Sequence, residues 1–127
     1  MKTRIAGTGH FLPKTVVTND DLSKVMDTSD EWISSRTGIR ERRLATEETT
    51  ASMSAEAAKL ALSDAGVSPE EIDLIIVATV SADHMTPSCA CEVQAAIGAD
   101  HAVAFDINAA CSGFLFALQM ADMYIRQ

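Results

Sequence analysis

Cys111 stands in Phe105-Asp-Ile-Asn-Ala-Ala-Cys111-Ser-Gly113-Phe, between a β-branched apolar run and an apolar segment of helical period. A cysteine where a buried strand turns into a helix has the environment of a nucleophile. The free N–H groups and partial positive charge of a helix start favour thiolate over thiol, and the thiolate is the attacking species. The same N–H groups can face a developing oxyanion. Ala109, Ala110 and Gly113 leave room beside the sulfur, the logic of a nucleophile elbow with cysteine in place of serine. Taken alone, the position also suits a small buried hydrophobe, and that alternative stays open at this point.

A second constellation lies nearer the start. Trp32, the one tryptophan, stands in Asp30-Glu-Trp-Ile-Ser-Ser-Arg36, and Arg36-Thr-Gly-Ile-Arg40-Glu-Arg42-Arg43 follows. Four arginines against one glutamate make a basic knot in a chain of net charge −8. Arginine recognises phosphate bidentately and an indole can stack on a purine, so the pair suggests a nucleotide-shaped polyanion. The competing reading packs Trp32 on the core and pairs the arginines with acidic neighbours.

Other motifs carry less. Cys89 and Cys91 are two apart and share no helix face, so they read as core or near-surface thiols. His10, His84 and His101 show no ligand spacing, and no metal site is expected. Gly7-Thr-Gly9 is not a dinucleotide fingerprint, because the third glycine would fall at Leu12 and Pro13 ends the element.

These residues need a scaffold of alternating strands and helices. Arg4–Leu12, Leu74–Val80 and Ala102–Ile107 read as strands, the last two apolar enough for a sheet covered on both faces. Asn19 is expected to cap a short helix over Asp20–Met26. Thr28-Ser-Asp-Glu31 reads as a capping box for a helix over about Ser29–Arg36, ended by Gly38. A longer helix is expected from Thr49 or Thr50 to Ala65, with Gly66 at its end. Ser68-Pro69 opens a single turn, Thr86-Pro87 starts a helix that Gly98 ends, and a last helix runs from Cys111 to Arg126. The resulting class is α/β, with right-handed crossovers.

With 47% apolar and 22% charged residues, the chain has the balance of a soluble globular domain. No apolar run approaches the ~20 residues of a membrane span, and the start lacks a secretory pattern. An acidic chain is a poor general nucleic-acid binder. Three cysteines make no disulfide framework, so a reduced, cytoplasmic protein is expected. The helical pattern runs to the last residue without a stop signal, and three strands leave sheet edges unfilled. Residues 1–127 therefore read as the N-terminal part of a longer protein.

Asp27-Thr28-Ser-Asp-Glu-Trp32-Ile-Ser-Ser-Arg36-Thr37-Gly-Ile-Arg40-Glu-Arg, followed later by Asp106-Ile-Asn-Ala-Ala-Cys111-Ser-Gly-Phe, resembles the β-ketoacyl-acyl-carrier-protein synthase III family. The resemblance implies a thiolase-like fold, with this chain as the N-terminal half of a five-layer αβαβα architecture and the C-terminal half outside it. It implies a homodimer that starts type II fatty-acid synthesis. An acyl group passes from acyl-CoA, a substrate rather than a cofactor, to Cys111. The acyl group is then condensed with malonyl-acyl carrier protein, with loss of CO₂. Position by position, Trp32 matches the residue that stacks on the CoA adenine. Thr28 matches its hydrogen-bonding neighbour, and Arg36 and Thr37 match contacts to the nucleotide end. The His and Asn of the condensation step belong to the C-terminal half, so residues 1–127 alone are expected to be inactive. Thr86 departs from the bulky Phe of some relatives. That residue bounds the acyl pocket across the dimer, so threonine implies room for larger or branched primers. Alternatives from the same superfamily are a 3-hydroxy-3-methylglutaryl-CoA synthase-like enzyme and a secondary-metabolite ketosynthase.

Overall fold

A computed structural model describes residues 3–127, which fall into two compact units: residues up to Phe11 with Thr49–Gln127, and Leu12–Glu48.

In the Leu12–Glu48 unit, β1 (Thr15–Thr18) pairs antiparallel with β2 (Glu41–Leu44), from Thr15 opposite Leu44 to Thr18 opposite Glu41. Neither strand is evident in the sequence, because Thr-Val-Val-Thr and Glu-Arg-Arg-Leu are only four residues each and show no apolar alternation. Between them lie α1 (Asn19–Ser23) and α2 (Asp30–Thr37). Thr18, not Asn19, caps α1. Its hydroxyl accepts from Asp21 N at 3.1 Å and its own N–H donates to Asp21 Oδ2 at 3.1 Å. Asn19 is thereby drawn inside, at 1% exposure. Likewise Ser29 rather than Thr28 caps α2, accepting from Trp32 N at 3.1 Å. Gly38 closes α2 at φ 73°, as the sequence predicts.

In the other unit, β3 (Leu74–Ala78) and β4 (Val103–Ile107) pair in parallel, Leu74 opposite Val103 through Ala78 opposite Ile107. Their crossover contains α4 (Cys89–Ile97), which packs on both strands, and α3 (Thr50–Ala65) packs on α4. The α3–α4 seam is the core: Ala55, Cys89, Ala90 and Val93 are buried there. Small side chains let the two helices approach closely. Thr49 caps α3 and Gly66 ends it in the left-handed region. Pro69–Glu71 is the single turn expected. The Thr86-Pro87 peptide is cis, and the helix expected from there starts instead at Cys89, with Ser88 accepting from Cys91 N. α5 (Gly113–Arg126) packs against β3.

Residues 4–12 correct the sequence reading. They form no strand; of this segment only Thr8 is tied by its backbone to α3, donating to Asp64 Oδ2 at 2.9 Å. Gly7 and Gly9 lie flat on α3. A Cβ on Gly7 would fall 2.5 Å from Ala61 O, and one on Gly9 would strike Ala57 O. The alternation read as a strand reflects this close approach of extended backbone to a helix. A cavity of about 430 Å³, lined by Ile5, Gly7, Leu62, Leu74 and Ile76, opens between the segment and β3. Apolar surface is also left open on α5, where Phe114 is 68% exposed.

Candidate functional site

The nucleophile candidate is built from β4 onward. Pairing continues one step past β3, with Thr79 N donating to Ile107 O at 3.1 Å. The chain then turns through Asn108 and Ala109. Ala110 follows at φ 44°, the one non-glycine residue at positive φ among the described residues. A side chain in that region costs energy, and such positions persist where surrounding structure over-determines them. Ala110–Ser112 forms one 3₁₀ turn, with Ser112 N donating to Ala109 O at 3.0 Å, and α5 begins at Gly113. Cys111 therefore sits in a tight turn just ahead of α5 rather than in its first turn. No side chain caps α5. Gly113 packs closely on β3: a Cβ there would come 3.1 Å from Ala78 Cβ, so any larger residue would have to push Ala78 aside.

The three cysteines differ sharply. Cys111 is exposed. Cys89 is fully buried; desolvation first, then the nearby Asp106 carboxylate, pushes its thiol above the ordinary value. Cys91 points its thiol at Ala104 O, 3.8 Å away. Only Cys111 combines access with a turn at a strand–helix junction.

Asp106 was missed in the sequence. Its carboxylate accepts from Cys89 N at 2.8 Å and from Ala90 N at 2.7 Å, so it caps the start of α4 from β4. The signal was an acid inside an apolar strand, which needs donors when it is taken out of water. Asp83 does the same for α3, accepting from Ala51 N at 2.8 Å and Thr50 N at 3.1 Å. Those bonds, Ala51's first, hold the Asp83 carboxyl below its usual range. Thr86 lies exposed on the loop between Asp83 and α4. His84 meets Glu92 at 3.1 Å, and His10 and His101 are exposed. Among the described residues no group of three or more His, Cys, Asp or Glu is arranged to hold a metal.

The second site is α2. Trp32 is 54% exposed, which removes the core-packing alternative within this unit. The Arg36 guanidinium lies 4.6 Å from the indole centroid, a cation–π pair one turn apart, and its Nη1 donates to Trp32 O at 3.3 Å. Thr37 Oγ1 donates to Ile33 O at 2.7 Å and accepts from Ile39 N at 3.1 Å, so its hydroxyl is engaged in ending the helix. Thr28 is half-buried just before the cap. The basic knot divides. Arg42 turns inward, donating to Asn19 Oδ1 at 2.7 Å and Val17 O at 3.2 Å, whereas Arg40 makes only an exposed pair with Asp30 at 3.7 Å. Among the described residues no helix is long and apolar enough to cross a membrane.

A parallel strand pair with a covering crossover, turning at an exposed cysteine into an apolar helix, gives an α/β fold of the thiolase kind. Residues 33–127 match the thiolase N-terminal domain, and the chain belongs to that family. It is 58% identical over 122 residues to β-ketoacyl-[acyl-carrier-protein] synthase III of Clostridium acetobutylicum, covering 96% of this chain and 38% of that protein. The crystal structure of 3-oxoacyl-[acyl-carrier-protein] synthase III from Aquifex aeolicus superposes with a TM-score of 0.96 at 58% identity, over 98% of this chain and 41% of that one. The priming β-ketosynthase of a polyketide biosynthetic pathway superposes at 0.90 with 42% identity, over 94% of this chain and 36% of that one. The chain thus spans about two fifths of the length of these relatives.

Proposed function

We propose that the protein to which this chain belongs is the initiating condensing enzyme of type II fatty-acid synthesis, acting in the cytoplasm as a homodimer. Cys111 thiolate attacks the thioester carbonyl of acyl-CoA, an acyl-cysteine forms as the bond to CoA sulfur breaks, and CoA leaves as its thiolate and takes a proton from solvent. Malonyl-acyl carrier protein then loses CO₂. The carbanion so formed attacks the acyl-cysteine, giving 3-oxoacyl-acyl carrier protein and restoring the Cys111 thiolate. Trp32 stacks on the adenine, while Thr28, Arg36 and Thr37 face the nucleotide end, and no cofactor takes part. The His and Asn of the second half-reaction come from beyond residue 127.

The observation that carries this reading is the turn at Cys111: an exposed thiol behind a left-handed alanine, between a paired strand and an uncapped helix. Identity favours the fatty-acid reaction over polyketide priming, at 58% against 42%. Thr86, small and exposed, supports an acyl pocket open to larger primers.

The test is acylation of the full-length protein with acetyl-CoA, followed by digestion and mass analysis. The acyl group is expected on Cys111 and absent from Cys111→Ser, whose alcohol supplies no accessible anion at neutral pH. An adduct on Cys89 or Cys91 with Cys111 free would overturn the assignment.

A further inference from the structure

α2 has the wrong composition to hold itself in place. None of its residues is buried, and it reads Asp-Glu-Trp-Ile-Ser-Ser-Arg-Thr with no apolar stripe. A helix of two turns without an apolar face gains little from packing and is marginal by itself. Yet it carries the Trp32–Arg36 stack, whose use requires a fixed orientation.

Polar anchors supply that orientation. Asn19 Nδ2 donates to Asp30 Oδ1 at 2.7 Å and to Ile39 O at 2.8 Å. Its Oδ1 accepts from Arg42 Nη2 at 2.7 Å, and its backbone N–H donates to Arg40 O at 3.2 Å. Asp30 is the first residue of α2, and Ile39 follows the glycine that closes it. One side chain therefore grips both ends of the helix. Arg42 is itself immobilised in β2, opposite Val17 in the ladder and bonded to Val17 O. Only a primary amide offers two donors and an acceptor from one planar group. Asp of the same shape would set two carboxylates face to face at Asp30, and Ser, with a single donor, could not serve both Asp30 and Ile39 O.

We propose that Asn19 is a positioning residue that orients α2, and with it the Trp32–Arg36 stack, for the nucleotide end of acyl-CoA. The proposal rests on the platform reading of Trp32 and Arg36. It separates nucleotide recognition from the chemistry at Cys111, so it predicts a loss that depends on whether the acyl donor carries a nucleotide.

The experiment compares full-length Asn19→Ser, Arg42→Lys and Trp32→Ala, each with its folded fraction established by circular dichroism and its Cys111 content by thiol titration. CoA affinity is measured by calorimetry. Cys111 acylation is measured from acetyl-CoA and from acetyl-pantetheine, which lacks the nucleotide. Asn19→Ser is expected to raise the CoA Kd and the acetyl-CoA KM roughly five- to tenfold, part of what two lost hydrogen bonds can transmit. Acylation by acetyl-pantetheine, and kcat, should stay within about twofold of the parent. Arg42→Lys keeps the charge but loses the planar fork whose two nitrogens reach Val17 O and Asn19 Oδ1 separately. It should show the same pattern at roughly two- to threefold, and it decides the matter if Asn19→Ser does not fold. Equal losses with both donors, or unchanged CoA affinity in the folded variants, would overturn the role. If Trp32→Ala weakens CoA while the other two do not, the positioning role alone falls. If Trp32→Ala leaves CoA binding unchanged, the platform reading falls and this inference with it.

Discussion

Within α2, Trp32 and Arg36 meet because they are one helical turn apart, and the helix is bounded by neighbours in sequence: Ser29 at its start and Gly38 at its end. At the Cys111 turn almost every determinant is remote. β4 is aligned by β3, the turn's exit is set by Gly113 against Ala78, and Asp106 engages the start of α4. Ala110 is held in the left-handed region although nothing in alanine favours it. One site is assembled by short-range chemistry and tethered by a single buried amide; the other is imposed by the fold around it. The first should fail when its own side chains, or the Asn19–Arg42 anchor that tethers them, are altered. The second should fail when its backbone is disturbed, even by a residue that touches no substrate.

The largest effect expected from that contrast falls on Ala110. In the full-length protein, Ala110→Val places a β-branched residue at positive φ, and the turn should shift. Acylation of Cys111 is expected to drop about 10²-fold, the scale of a one-ångström misplacement, while CoA binding is retained. Wild-type acylation rates in Ala110→Val, read by mass spectrometry, would show that reactivity at Cys111 is not sensitive to the residue at this strained position.

Next is Trp32→Ala, which should weaken CoA binding by about 1–3 kcal/mol, the range for base–aromatic stacking, without unfolding the protein. Calorimetry at two salt concentrations sharpens this, because an Arg36–phosphate contact should weaken as salt rises. Loss of the folded state with normal binding in what remains folded would make Trp32 a structural residue after all.

Thr86→Phe is expected to act more narrowly. Filling the pocket should cost isobutyryl- and longer acyl-CoAs about 1–3 kcal/mol in kcat/KM and spare acetyl-CoA. A uniform loss across primers would place Thr86 outside the pocket.

The smallest effect concerns acid. Asp83 has its carboxyl held below the model-compound value of 3.8 by the N–H groups of α3. The folded state therefore binds its proton less readily than the unfolded chain does. That contribution to stability is present above about pH 4 and is lost as pH falls through the lowered value. Asp83→Asn should reduce the difference in melting temperature between pH 7 and pH 3. The change is expected to be slight, because the group is exposed and screened. An unchanged pH dependence would assign acid sensitivity to other carboxylates.

The caps at Thr49, Gly38, Gly66 and Gly98 were legible in the sequence, as were β3, β4 and the helices around them. These signals depend on backbone preferences within a few residues. The same locality exposed Trp32, Arg36 and Cys111 as candidates. Where two local solutions compete, the sequence could not choose: Ser29 displaced Thr28 as a cap, and Thr18 displaced Asn19, whose burial satisfies four polar groups at once. Residues 4–12 looked like a strand because an extended chain with alternating small residues reads alike whether it pairs with a strand or lies on a helix. Only the approach of Gly7 and Gly9 to α3 distinguishes them. The β1–β2 pair, Asp106 as a cap and the left-handed Ala110 were settled by tertiary structure alone. Each is a choice the isolated segment would not make, stabilised by hydrogen bonds and packing from residues distant in the chain.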